Sequence, residues 1–456
     1  MAHFMISAAH KSSGKTTVSI GLCAALRERG LRVQPFKKGP DYIDPLWLGA
    51  AAGRACHNLD FYTQPHDEIE AVFASHLQDA DIGLIEGNKG LYDGLDLDGS
   101  NSNAALASLL GAPVVLVLDT RGMTRGVAPL ILGYQAFDPT VRIGGVILNH
   151  VGGARHEAKL RGVIAHYTDV QVLGAVARDR SLEIEERHLG LIPSNEEARS
   201  RGLIDRLAAA VAAQVDLDAL LRLADVPRPL ARATTGVAAV GQPVRIGYPS
   251  DAAFGFYYPG DLEALRAEGA ELVAFDSLHD AGLPDVDGLF LGGGFPETAM
   301  RELEANTGMR EAVGGFIEAG GPVYAECGGL MYLARNLTWG GTQCRMVGVI
   351  PADVVMHDRP QGRGYVRLRG TASHPWGAMR GAEIAAHEFH YSGLENLGSG
   401  LTFAYEVERG HGIDGCHDGI VYKNLLASYA HMRDTARNRW IARFLEHVRA
   451  CRSKRH

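Results

Sequence analysis

The sequence predicts an α/β fold in two domains, and three observations carry that expectation. Short apolar runs alternate with helix-like segments through the first half. A small-residue loop ending in Gly14-Lys15-Thr16-Thr17 follows the first of those runs. A second strand–loop–helix series then starts afresh beyond a proline-bearing stretch near residue 225. At 456 residues the chain is also long for a single domain.

The first element is read from Met5 and Ile6, an apolar start that enters the loop and emerges in an alternating apolar pattern. This is strand, phosphate loop, helix. The loop motif is G-x-x-x-x-G-K-[ST], with backbone N–H groups cradling phosphates and the lysine neutralising them. Here Ala9 takes the first position, which is glycine in the strict pattern, and the bland reading is a Gly-Lys turn at a helix start. The runs at 81–87, 113–119, 143–149 and 170–176 read as short buried parallel strands, each followed by a loop and a helical pattern. In such sheets ligands gather beyond the carboxyl ends of the strands. The Ala-rich segment 206–214 reads as a helix. Residues 225–243 lack a clean period and read as a linker between domains at 1–224 and 244–456. The second domain opens on 244–251, continues through 262–275 and reaches the glycine-rich run 286–294.

Composition narrows the partners. Hydrophobic residues at 46% and charged residues at 21% suit a soluble globular protein with a sizeable core. A net charge of −8 argues against a general nucleic-acid binder, yet leaves local anion sites open. The six cysteines form no CxxC pair, which points to a reducing compartment and against a disulfide framework or zinc knuckle. No signal-peptide pattern and no apolar run approaching ~18 residues is present, so the expectation is a cytoplasmic protein without membrane spans.

A phosphate site of this kind needs Mg²⁺, held by the Thr16 hydroxyl and by carboxylates at other strand ends. Glu86 directly follows an apolar strand, and Asp41 and Asp44 lie in a loop beside Lys37 and Lys38. Thr16, Asp41 and Glu86 are therefore the expected metal set. Gly14, Lys15, Thr16 and Thr17 are expected to bind the nucleotide, with Asn149 at a strand end facing the purine edge. Lys37, Lys38, Asp44, Lys89, Tyr92 and Asp93 are expected to meet an anionic substrate.

In the second domain, Cys327 sits between a β-type run and a helical one, within Ala325-x-Cys327-x-Gly329. That small-x-nucleophile-x-small form suits a strand-to-helix elbow. A helix N-terminus there is expected to lower the thiol pKa. Gly293 and Gly294, in a glycine-rich loop after a strand, suit an oxyanion hole. A partner base should come from later in the chain: His431, His387 and His390 all compete, and spacing alone does not choose.

These segments together resemble the cobyrinic acid a,c-diamide synthase family over nearly the full length. The shared stretches are SSGKTT, PFKKGPDYIDP, NLDFY, EGNKGLYDG, GVILNHV, LGLIPSNE, LGGGFPE, AECGGLMYL and HEFHYS. The resemblance implies a dethiobiotin-synthetase-like ATP-binding domain joined to a class I glutamine amidotransferase domain of flavodoxin-like fold. It implies ATP-dependent, glutamine-hydrolysing amidation of the a and c acetates of a cobyrinate-type tetrapyrrole through an acyl phosphate. It makes Cys327 the glutaminase nucleophile and His431 the residue that activates it. ATP, glutamine and an anionic tetrapyrrole are the implied small-molecule partners, and a homodimer is left open.

Two departures stand out. Class I amidotransferases generally carry a carboxylate two residues after the catalytic histidine, where this chain has Arg433. A permanent cation cannot accept a hydrogen bond, so Arg433 is expected to face away from His431, toward solvent or an acidic partner. The phosphate-loop and PFKKGPDYIDPLWL segments also resemble a branch thought to amidate sirohaem. A rival from another class is a non-catalytic nucleotide switch. Partitioning-type ATPases put a signature lysine four residues before the loop glycine, and that position is His10, with Lys11 one residue out of register. A further rival keeps carboxylate activation and makes the C-terminal domain a degenerate scaffold.

Overall fold

The computed structural model describes residues 2–184, 186–187, 190–191, 200–225 and 241–453. Two compact units account for the chain: Met1–Glu186 with Leu191–Thr234, and Thr235–His456 with Arg187–Gly190. Most of the expected linker and of the LGLIPSNE segment lies outside the described residues.

The first unit is a seven-stranded sheet in the order β3-β2-β4-β1-β5-β6-β7. Its strands are β1 (His3–Ala8), β2 (Val33–Lys38), β3 (His57–Leu59), β4 (Ile82–Glu86), β5 (Val114–Asp119), β6 (Ile143–Val151) and β7 (Gln171–Ala177). Every pairing is parallel. The expected strands at 81–87, 113–119, 143–149 and 170–176 are β4 to β7. All-apolar runs form them because helices cover both faces of a parallel sheet. Phe4 and Ile6 of β1 face one core with Leu22 and Leu26 of α1 (Lys15–Glu28), while Met5 faces another with Phe36 and Phe73. Helix α2 (Ile43–Ala52) follows β2, and the Ala-rich segment closes the helix Ser200–Gln214, which buries Leu207 and Val211 against the first core. Because β1, β2 and β4 are neighbours, their carboxyl ends bring the phosphate loop, Lys37, Lys38 and Glu86 to one edge.

The second unit is built on a nine-stranded mixed sheet. Its parallel part runs Ala270–Phe275, Val244–Pro249, Gly288–Leu291, Val323–Glu326, Leu425–Ser428. Four antiparallel strands extend it: His417–Tyr422, Thr402–Arg409, Gly362–Gly370 and Glu383–His390. A four-stranded sheet holds Ala334–Trp339, Thr342–Arg345, Ile350–Met356 and Ser392–Glu395. The segment 262–275 divides at Gly269, with helix Pro259–Ala267 on one side and strand Ala270–Phe275 on the other. Gly269 has φ +89°, a left-handed conformation that glycine adopts without a Cβ penalty.

Candidate active site

The phosphate loop turns left-handed at Ser12 (φ 62°) and at Gly14 (φ 82°), the residue that caps α1. A side chain at Gly14 is barred by space as well as by φ, since its Cβ would lie 2.1 Å from Asn149 Nδ2. That same Asn149 amide donates to the Ser13 carbonyl at 3.0 Å. Asn149, expected at a purine edge, thus also braces the loop. Thr17 lies half-buried in the first turn of α1.

Beside the loop, four groups converge. Thr16 Oγ1 lies 3.1 Å from Glu86 Oε1 and 3.3 Å from Asp44 Oδ2. Lys37 Nζ donates to Asp44 Oδ2 at 2.5 Å and to Glu86 Oε1 at 2.6 Å. Burial alone would lower the Lys37 pKa, but Asp44 and Glu86 outweigh it and hold the ammonium well above its usual range. Burial raises Glu86. It would also raise Asp44, but Lys37 prevails and lowers that carboxyl. Glu86 is fully buried, and its Oε2 has no hydrogen-bond partner. An unmatched carboxylate oxygen beside a hydroxyl and a second carboxylate is the hard-oxygen chemistry that Mg²⁺ takes.

Asp41 stands differently from the expectation. Its Oδ1 accepts from the Ile43 and Asp44 backbone N–H groups at the start of α2, and its Oδ2 is 3.7 Å from Lys37 Nζ. Burial and the neighbouring Asp44 push it up to about 7. Of the two aspartates, Asp44 is the one within reach of Thr16.

Lys15 donates to the Lys89 carbonyl at 2.7 Å, and burial, with Lys37 nearby, brings its pKa down to about 8. Lys38 is buried and bonded to Asn101, 2.5 Å from its carbonyl and 3.1 Å from its side-chain oxygen. Lys89 and Asp93 are exposed, and Asp93 accepts from the Gly90 N–H. Half-buried Tyr92 donates to the Tyr134 carbonyl at 2.6 Å. Of the expected anion-binding lysines, Lys89 is therefore the one open to solvent, while Lys37 and Lys38 are internally paired.

In the second unit Cys327 joins strand Val323–Glu326 to helix Gly328–Leu333 with φ 46° and ψ −99°. A non-glycine residue held at positive φ marks the strained elbow expected from the sequence. Its neighbours must be small: a Cβ on Gly329 would lie 2.2 Å from the Leu291 carbonyl oxygen, and one on Gly328 would lie 2.9 Å from Gly294 N. Gly293 is pressed as closely against His431, whose Cε1 would be 2.7 Å from an added Cβ. Of the two glycines expected at an oxyanion hole, Gly294 therefore packs against the elbow and Gly293 against His431. The expected lowering of the thiol pKa is not found. Burial pushes the Cys327 thiol up, with Glu297 and Glu326 adding to the effect. A six-residue helix does not offset a buried site beside two carboxylates.

Strands Val323–Glu326 and Leu425–Ser428 pair in parallel, with Glu326 opposite Ser428, so His431 follows the strand next to the elbow. The three candidate histidines then separate. His431 Nδ1 lies 3.3 Å from Glu326 Oε2. His387 stacks on His431 with ring centroids 4.9 Å apart, and its Nδ1 is 3.2 Å from the Tyr258 hydroxyl. Burial, with His431 and Arg433 nearby, holds His387 well below its usual pKa. His390 instead stacks on Tyr429 at 3.8 Å, with Nδ1 2.8 Å from the Ser392 carbonyl. Arg433 does not reach solvent: it is buried, its guanidinium 5.2 Å over the Tyr258 ring. Glu326 is the residue that sequence reasoning missed. A glutamate ending the buried strand VYAE, next to the nucleophile, was the signal available.

Residues 4–192 match a family profile described as the CobQ/CobB/MinD/ParA nucleotide binding domain. Residues 245–438 match a CobB/CobQ-like glutamine amidotransferase domain. Cobyrinate a,c-diamide synthase of Magnetococcus marinus is 48% identical over 96% of both chains. The protein of that name from Methanosarcina acetivorans is 41% identical over 95% of this chain and 92% of its own. That from Archaeoglobus fulgidus is 41% identical over 94% of this chain and 93% of its own. A nucleotide site and a cysteine elbow, each within its matched domain, agree with a near full-length likeness: the chain belongs to the cobyrinate a,c-diamide synthase family and is an ATP-using, glutamine-dependent amidating ligase.

Proposed function

We propose that this ligase amidates the a and c acetate carboxylates of a cobyrinate-type macrocycle, cobyrinic or hydrogenobyrinic acid, one ATP and one glutamine per amide. The observation that carries the reading is the 48% identity across 96% of both chains to a cobyrinate a,c-diamide synthase. In the first unit the substrate carboxylate attacks the γ-phosphorus of ATP, ADP leaves, and an acyl phosphate forms. Ammonia then attacks the acyl carbon and phosphate departs. Lys15 is the cation placed for the transferring group. Thr16, Asp44 and Glu86 would hold Mg²⁺, a grouping that the partnerless Glu86 Oε2 supports. When bound, the ion offsets phosphate charge.

In the second unit Cys327 attacks the glutamine side-chain amide, giving a thioester and ammonia; water later releases glutamate. Because burial keeps the thiol protonated, its proton passes to His431 as the sulfur attacks, and from there to the leaving nitrogen. Backbone N–H groups around Gly293 and Gly294 would receive the developing oxyanion. His431→Ala is expected to slow glutamine hydrolysis on the order of 10²-fold or more, the scale of a lost general base. His387→Ala and His390→Ala should slow it far less; steady-state glutaminase rates of the three variants check this. All six cysteines are free thiols, which fits a reducing cytoplasm.

The substrate is tested by incubating the purified protein with Mg²⁺, ATP, glutamine and a panel of cobyrinic acid, hydrogenobyrinic acid and sirohaem. Mass spectrometry is expected to show diamides of a cobyrinate-type acid. Amidation of sirohaem with none of the cobyrinate-type acids would overturn the substrate assignment.

A further inference from the structure

The established reaction needs something to orient the histidine that serves Cys327, and the usual position for it holds Arg433. We propose that Glu326, the residue immediately before the nucleophile, is the positioning carboxylate of the glutaminase site, holding His431 through Nδ1 so that Nε2 faces the sulfur. This rests on the reading of Cys327 and His431 given above.

The geometry of the carboxylate carries the inference. Glu326 is almost wholly buried, and one of its oxygens is fixed from two sides. Tyr324 Oη donates to Oε1 at 2.6 Å, and the Met432 backbone N–H donates to the same atom at 2.9 Å. The second bond comes from the residue directly after His431, so the carboxylate is tied to the histidine's own backbone. Oε2 is then left facing His431 Nδ1 at 3.3 Å. Burial, with Glu326 beside it, raises the Tyr324 pKa well above the phenol range, so the hydroxyl remains a donor.

Nearby acids are committed elsewhere. Asp418 accepts from Ser428 Oγ and from the Gly419, Tyr429 and Ala430 N–H groups. Asp261 accepts from the Asp434 N–H and from Trp440 Nε1. The His387 ring lies stacked on His431, 17° from parallel, and so presents its face rather than an in-plane acceptor. Against the imidazole stand Glu326 on the elbow strand and the stacked His387 ring, with Arg433 two residues on in its own segment. Of these, Glu326 alone stabilises an imidazolium. A buried carboxylate in that place fixes the tautomer and lowers the cost of protonating Nε2.

Glu326→Gln keeps the shape and removes the charge. Its glutaminase kcat should fall on the order of 10²-fold or more, with KM for glutamine little changed. The acidic limb of kcat/KM should move about one pH unit or more toward acid, because the imidazolium loses its anion. Glu326→Asp should recover part of the loss, and ammonia-driven synthesis should remain. A Glu326→Gln enzyme with kcat within about threefold of wild type and an unmoved acidic limb overturns the proposal. Cys327→Ala, measured alongside, separates the two readings. Glutamine hydrolysis surviving there removes the site itself, whereas a dead Cys327→Ala beside an active Glu326→Gln removes only the carboxylate's role. Should Glu326→Gln not fold, ¹⁵N-histidine spectra of the wild-type enzyme decide, with His431 assigned by its loss in His431→Ala. A proton on Nδ1 is expected, and a proton on Nε2 with Nδ1 bare overturns the proposal.

Discussion

Replacing Cys327 with alanine is expected to abolish glutamine-dependent amidation while leaving synthesis from high ammonium chloride near its wild-type rate. The sulfur serves only to break the glutamine amide, and no other described cysteine lies at a strand-to-helix elbow of positive φ. The substitution deletes one sulfur from a site packed by glycines, so the elbow keeps its backbone. Side-by-side assays with glutamine and with ammonium chloride check the result. Equal loss with both nitrogen donors would sink the division of labour between the two units.

Lys15→Ala is expected to have the opposite pattern. Synthesis should fall on the order of 10²-fold or more with either nitrogen source, because phosphoryl transfer precedes ammonia capture. Lys15 follows the glycine that caps α1, and its ammonium remains mostly protonated at neutral pH with a pKa of about 8. Lys37 does not substitute for it, being tied to Asp44 and Glu86. Basal glutaminase turnover should persist and shows at the same time that the variant is folded. Retained ammonia-driven synthesis would place phosphoryl transfer away from this loop.

How much of this was legible depended on how each residue is buried. The four apolar runs of the first half sit at β4 to β7 because parallel strands bury both faces and so lack polar interruptions. The antiparallel half of the second sheet gave no such mark. Strand Gly362–Gly370 alternates Val366 and Leu368 inward with Arg363, Arg367 and Arg369 outward, a weaker signal from one buried face. Among the carboxylates, Glu86 could be picked because it ends an apolar strand. The choice between Asp41 and Asp44 required knowing where α2 begins, since Asp41 is drawn to its first N–H groups. Glu326 was hidden by its neighbour. Read as part of a tight turn, it gave no hint that its partner lay 105 residues away, a distance closed only by the pairing of strands Val323–Glu326 and Leu425–Ser428.

The ammonium of Lys37 has a consequence for the order in which the nucleotide site fills. Lys37 lies between Asp44 and Glu86 and already offsets part of their charge. A bare dication entering alone would meet carboxylates that a lysine has neutralised, and a bare triphosphate would meet the same carboxylates at close range. A cation and a polyphosphate that enter together screen one another, so each would meet less opposition than it would alone. Such a pocket would favour the metal–nucleotide pair over either component alone.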